Sequence, residues 1–144
     1  MKHLLLTCII LIAAIAANAQ KSKNKTDPHA VIYEKAEIKF DTISHDFKEI
    51  LEGQVATHVF IFYNIGKEPL IVSDAHAGCS CTVSDYTKEP IMPGKSGTVT
   101  VKYNTTGRMG MFTKSLTITS NAFQSPVVTL TISGNVIAAP QEVH

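Results

Sequence analysis

The sequence predicts an all-β protein, a single immunoglobulin-like antiparallel β-sandwich of about seven strands. Between Ala36 and Ile137, apolar residues recur with a period of two, not 3.6. Turn signals rich in Gly, Pro and Asn separate the alternating runs. No helical stripe of useful length occurs beyond the first twenty residues. A small closed barrel is the structural alternative. Antibody hallmarks are missing, because there is no tryptophan and Cys79 and Cys81 are near neighbours in sequence.

Taken in order, Ala36–Thr42 places Ile38 and Phe40 on one face and Glu37, Lys39 and Asp41 on the other. Asp46, next to His45, reads as turn chemistry. Val55–Asn64 is rich in β-branched and aromatic residues, with Phe60 and Phe62 on one face and Val55, Val59, Ile61 and Tyr63 on the other. Both faces are apolar, which predicts a central strand partly buried on either side. Asn64-Ile65-Gly66-Lys67 is a turn, and Pro69–Val72 starts the next strand. Pro93-Gly94 sits where a type II turn places Pro and Gly. Thr98–Tyr103 alternates Val99, Val101 and Tyr103 with Thr98, Thr100 and Lys102. Phe112, Leu116 and Ile118 mark the next strand, and Val128, Leu130 and Ile132 the last.

The ends read differently. Lys2 and His3, the apolar run Leu4–Ala17, and Ala17-Asn18-Ala19 have the layout of an export signal cleaved before Gln20. The run is shorter than the roughly 18–20 residues of a spanning helix. Cys8 lies inside it, too early for a lipid-attachment cysteine, and is expected to leave with the signal. The expected organisation is therefore signal peptide 1–19, flexible spacer 20–35, sandwich 36–137 and flexible tail 138–144. Removing Lys2 from thirteen basic residues leaves twelve, against twelve acidic ones. A chain with no net charge lacks the basic surface that nucleic-acid binding requires, so no nucleic acid is expected. No stable membrane insertion is expected after signal cleavage. Export to the periplasm or cell surface brings two cysteines into a compartment where a disulfide persists.

From about His45 to Val136 the chain resembles DUF1573, a bacterial domain family of unknown function common in secreted proteins of Bacteroidetes. His45-Asp46-Phe47 followed by Gly53 is similar to its opening strand and turn. Phe60 to Leu70 follows F-x-F-x-N-x-G-x-x-P-L. Cys79-Ser80-Cys81-Thr82 stands at the family's C-x-C-T position, with Ser80 where glycine is usual. Pro90 to Gly97 follows P-I-x-P-G-x-x-G. Tyr103-Asn104-Thr105, Gly107-Arg108, Gly110, Phe112, Lys114 and Ser120-Asn121 follow the last block. The resemblance extends to the sandwich domains of major sperm protein and ciliary Hydin-type proteins. It implies a fold and an interaction role, but no reaction.

Among candidate sites, Cys79 and Cys81 come first. They form a local disulfide, stay as free or buried thiols, or serve a metal or redox site. A ring across one residue constrains the unfolded chain little and is strained. The metal alternative joins His76 to Cys79 and Cys81 as soft-ion ligands for Cu(I) or Zn(II), with Met92, Met109 and Met111 as additional thioethers if their loops converge. A redox role needs an electropositive setting, for which Lys88 and Lys95 are nearest in sequence. Arg108, the only arginine, and Met109 lie on a loop tip as candidate partner contacts. No nucleophile context, catalytic set or phosphate cradle is found, and His58 reads as a core or sheet-edge histidine. The expected function is a non-enzymatic exported binding module of the envelope with an unknown protein partner and no cofactor. The rival is an envelope metal-binding or thiol-redox protein using the Cys79-Ser80-Cys81 loop.

Overall fold

A computed structural model describes residues 34–78 and 82–140. The described chain is all β, and none of it forms a helix long and apolar enough to cross a membrane. There are eight strands: β1 (Ile38–Phe40), β2 (Ser44–Leu51), β3 (Val55–Asn64), β4 (Val72–Ala77), β5 (Thr82–Tyr86), β6 (Ser96–Asn104), β7 (Gly110–Ser120) and β8 (Val127–Ile137). They form two four-stranded sheets, ordered β1-β3-β6-β5 and β2-β8-β7-β4. The predicted sandwich is present. Its strand number is eight rather than about seven, and β2 runs parallel to β8 while every other pairing is antiparallel. The reason is the link from Asp41 to Ile43. It carries the chain from one sheet to the other without reversing it, so β2 keeps the direction of β1, whereas antiparallel neighbours arise through hairpin reversals.

The core is built from the inner face of each sheet. Phe60, Phe62, Val99 and Val101 meet Leu116, Ile118, Leu130 and Ile132, all essentially without solvent contact. Each such side chain contributes ~1.5–3 kcal/mol by leaving water. The outer face of β3 does not follow the prediction of burial on both sides. Val55, Val59, Ile61 and Tyr63 are 56%, 45%, 39% and 38% exposed. The strand is central in its sheet, but no described layer covers that sheet from outside.

The end of the sandwich near Asn64 is fixed by buried polar side chains. Asn64 Nδ2 donates to Glu68 O at 2.7 Å and to Ile91 O at 2.9 Å, and its Oδ1 accepts from Gly66 N at 2.9 Å. Gly66 is required here because a Cβ would lie 1.9 Å from Lys35 O. Asn121 closes the neighbouring loop, accepting from Ile71 N at 2.7 Å and donating to Pro69 O at 3.1 Å. Glu37, expected on the polar face, is buried instead, and its carboxylate accepts Gln124 N at 2.7 Å and Ser125 N at 3.1 Å. A buried carboxylate persists only when hydrogen-bonded in this way. Gly94 has φ 75°, and Lys95 N donates to Met92 O, as the predicted type II turn requires.

The expected signal peptide 1–19, residues 20–33 of the expected spacer and residues 141–144 of the expected tail lie outside the described residues. Glu34 and Lys35, assigned to the spacer, are held against Lys67 and Glu68. Glu34 pairs with Lys67 at 2.7 Å, Lys35 pairs with Glu68 at 3.0 Å, and Lys67 N donates to Lys35 O.

Candidate functional site

The lower half of β3 is where the sandwich is open. Asp41 N donates to Ile61 O and Ile65 N donates to Glu37 O, so odd-numbered residues of β3 direct their backbone groups toward β1. The even side faces β6, as the bond from Asn64 N to Lys95 O shows. However, β1 pairs only with Phe62, Tyr63 and Asn64. The outward N–H and C=O groups of Val55, Thr57 and Val59 therefore have no strand beside them among the described residues. This is an unpaired edge on an internal strand, next to the exposed apolar row of Val55, Val59 and Ile61.

Across the opening stands β2, the edge of the other sheet. Two H-x-F triplets meet there, His45-Asp46-Phe47 on β2 and His58-Val59-Phe60 on β3. By period two, each histidine shares a face with its phenylalanine. The imidazoles stack with centroids 3.6 Å apart and planes 9° from parallel. Phe47 meets His45 edge-on at 4.6 Å, and Phe60 meets His58 edge-on at 4.6 Å. Parallel stacked rings keep their nitrogen lone pairs in separate planes, so this pair does not converge on a single ion. Burial holds His58 below the usual histidine range, and the charge of His45 adds to the effect. Two unit charges about 4 Å apart repel by about 1 kcal/mol in water and about 4 kcal/mol at an effective dielectric of 20. The stack therefore accommodates one proton more readily than two.

Beside the stack, β2 carries a bulge in which Phe47 and Lys48 together face Gly134 of β8. Lys48 has φ 61°, a left-handed conformation uncommon for a residue with a side chain. Asp46 stabilises it, accepting Lys48 N at 2.9 Å and Lys48 Nζ at 2.7 Å. These bonds hold the Asp46 carboxyl below its usual range. The turn chemistry expected at Asp46 is thus real, although it builds a bulge inside a strand. An open cleft of about 350 Å³ lies over the bulge, lined by Asp46, Lys48, Phe112, Ser133 and Asn135 among others.

The residues singled out from sequence are dispersed. Cys79 and Cys81, as the disulfide pair or as metal ligands, lie outside the described residues. His76 is on β4, exposed, with Nδ1 2.6 Å from Asp74 Oδ2. Met92 lies in the turn before β6, at the end of the sandwich opposite Met109 and Met111, so these thioethers do not converge. Lys95 shares that far end, where its backbone carbonyl meets Asn64. Lys88 sits 5.7 Å from the centre of the Tyr86 ring. Arg108 and Met109 occupy the exposed turn between β6 and β7, where Arg108 N donates to Thr105 O. No group of three His, Cys, Asp or Glu side chains among the described residues is placed to hold a metal ion. Sequence reasoning missed the histidine stack. The signal available was the repeated H-x-F triplet, which needs the pairing of β2 with β8 and of β3 with β6 before it acquires meaning.

Comparison with known proteins gives a family and a fold. Residues 38–136 match DUF1573, described as a protein of unknown function. No curated protein matches the sequence. A crystal structure of a protein of unknown function from Porphyromonas gingivalis W83 is similar with TM-score 0.61 and 13% identity, covering 69% of this chain and 46% of that one. The chain thus spans just under half of that protein's length. The ASH / PapD-like domain 7 of human CEP192 is similar with TM-score 0.55 and 10% identity, covering 72% of this chain and 87% of that one. The secreted serine protease VesC from Vibrio cholerae is similar with TM-score 0.54 and 17% identity over 72% of this chain and 24% of its own. At these identities the likeness concerns the fold alone.

Proposed function

The chain belongs to the DUF1573 family, and from that premise we propose that it is a non-enzymatic, exported binding module of the cell envelope. It accepts an extended segment of a protein partner at the bare edge of β3. The observation that carries this reading is the backbone of Val55, Thr57 and Val59, unpaired among the described residues, beside an exposed apolar row. Strand addition at a sheet edge uses main-chain hydrogen bonds for affinity and alternate side chains for specificity.

The other edges are blunted in the ways that proteins avoid unwanted pairing. On β2 there is a bulge and the charged residues Asp46, Lys48 and Glu49. Edge strand β1 is three residues long and carries Lys39. On β4 stand Asp74 and His76, and on β5 Asp85. From Val55 to Phe60, β3 has no charge other than a titratable His58, no proline and no bulge against β6. A site-specific photo-crosslinker at Val59, in cells exporting the protein, is expected to give a discrete protein adduct. The same probe at Thr129, on the other sheet, is expected to give none, and Thr57→Pro is expected to abolish the Val59 adduct. Equal labelling at both positions, or no adduct at Val59, overturns the reading.

A second reading, metal or thiol-redox chemistry at Cys79-Ser80-Cys81 with His76, has one observation in its favour. Asp74 fixes the His76 ring through Nδ1, the arrangement a carboxylate gives to a ligating histidine. It predicts stoichiometric Cu(I) or Zn(II) uptake under reducing conditions that is lost in Cys79→Ser. Failure to take up either ion removes it.

A further inference from the structure

We propose that the His45–His58 stack is an acid-sensitive latch on the bare edge of β3, closing the first half of β2 against β3 at neutral pH and releasing it in acid. This deepens the proposed strand-accepting site, and its relevance to binding rests on that reading. The latch itself stands on geometry. His45 belongs to the edge of one sheet and His58 to the other, and the two strands hydrogen-bond to β8 and β6 rather than to each other. The stacked rings, flanked by Phe47 and Phe60, therefore join two edges that have no shared ladder.

The moving part is delimited by the bulge. Ser44, His45 and Asp46 pair with Thr131, Ile132 and Ser133, and pairing resumes at Glu49 with Asn135. Parallel pairing is slightly weaker per residue than antiparallel pairing. The left-handed Lys48 supplies a natural hinge between the two halves.

The surrounding charges do not offset a second imidazolium. On β2, Asp46 is the carboxylate that acts on His45, and Lys48 already holds it at 2.7 Å. Glu49 lies beyond the bulge, and Asp41 lies on the link to β1. On β3 the flanking residues Thr57 and Val59 carry no charge. On β6, Val101 is paired with His58, and Lys102 faces outward. On β8, Ile132 is paired with His45, and the next residue along that row is the cationic Lys114 of β7. A proton on His58 thus meets the charge of His45 stacked on its face. Burial of His58 acts in the same direction.

The sign follows from linkage. The closed state holds His58 below the ordinary value of about 6.5, so the open state binds more protons as the pH falls below it. Closure is complete above that pH and is lost as the pH falls toward the depressed value, by up to about tenfold per pH unit for one proton.

The test is amide hydrogen exchange by NMR on protein purified from an exporting host, corrected for intrinsic exchange, between pH 7.5 and 5. Protection at Thr131 and Ser133, whose N–H groups face β2, is expected to fall up to about tenfold per pH unit below about 6.5. Protection at Asn135–Ile137 and along the β4–β7 ladder is expected to hold. His58→Phe keeps the ring contact without the charge and is expected to remove the pH dependence, with His58→Gln as a second uncharged variant. A flat profile in the native protein overturns the latch. So does an equal loss in both halves of β2, or the same slope in an uncharged variant. Crosslinking from Val59 at pH 7.5 reports on the strand-accepting edge separately, so failure of the latch and failure of the binding site are distinguishable.

Discussion

From Ile61 to Asn64, β3 has chain on both sides and loops stapled over its end, whereas from Val55 to Phe60 it has β6 alone among the described residues. One strand thus carries a closed half and an open half. In the closed half each loop is held by a polar side chain, buried for Asn64 and Glu37 and exposed for Asn121, and the three together accept or donate seven hydrogen bonds. In the open half the side-chain contact reaching across to β2 is the histidine stack with its two phenylalanines. The amide staples of Asn64 and Asn121 carry no titratable group and fix a single geometry. A stack of two titratable rings holds a geometry that the proton concentration can alter. The difference teaches that rigidity in this sandwich is local, placed where loops must be fixed and withheld where an edge is left bare.

Substitutions can break or sharpen that contrast. The largest effect is expected from Asn64→Ala, which leaves Gly66 N, Glu68 O and Ile91 O without their partner. A loss of about 4 kcal/mol is expected in denaturant unfolding. Next is proline in a strand paired on both sides. Thr100 on β6 directs its backbone toward β5, and Thr100→Pro should lose about 3 kcal/mol. Gly66→Ala forces a Cβ onto Lys35 O and should pry the start of β1 away from the 64–68 turn. A cost of about 2 kcal/mol is expected, with faster amide exchange at Ile65 and Lys67, so that the closed half comes to resemble the open one. By contrast, Thr57→Pro removes an N–H that has no strand beside it among the described residues and should cost less than about 1 kcal/mol. A loss equal to that of Thr100→Pro would mean that this edge is covered. The smallest change is expected at the exposed bulge. Asp46→Ala should raise amide exchange at Lys48 with little effect on the unfolding midpoint. The Asp46 carboxyl is held below its usual range of about 3.8. Its contribution is therefore present above that pH and is lost as the pH falls through the lowered value.

Much of the closed half was legible in the chain. The spacing Asn64-x-Gly66 and the pair Pro93-Gly94 announce turns whose chemistry the structure then displays. Alternation identified β3, β6, β7 and β8 and their inner faces, because a strand reveals its buried side through its period. Glu37 was misplaced because the same period assigns a carboxylate to the polar face. Only the distant loop at Gln124 and Ser125 supplies the donors that permit its burial. The outer face of β3 was misjudged because apolar alternation cannot say whether another layer lies above it. The histidine stack was out of reach because His45 and His58 acquire significance only through the pairing of their strands with β8 and β6.

By itself, then, the sequence determined the class of fold, the single repeating period, the turns and the family, since these depend on local backbone preference and on which residues avoid water. The tertiary structure alone decided the sheet switch between β1 and β2, the parallel pairing of β2 with β8, the bare edge of β3 and the contact of two imidazoles across it. Those depend on which strands become neighbours after the chain closes, and a period of two contains no record of neighbours.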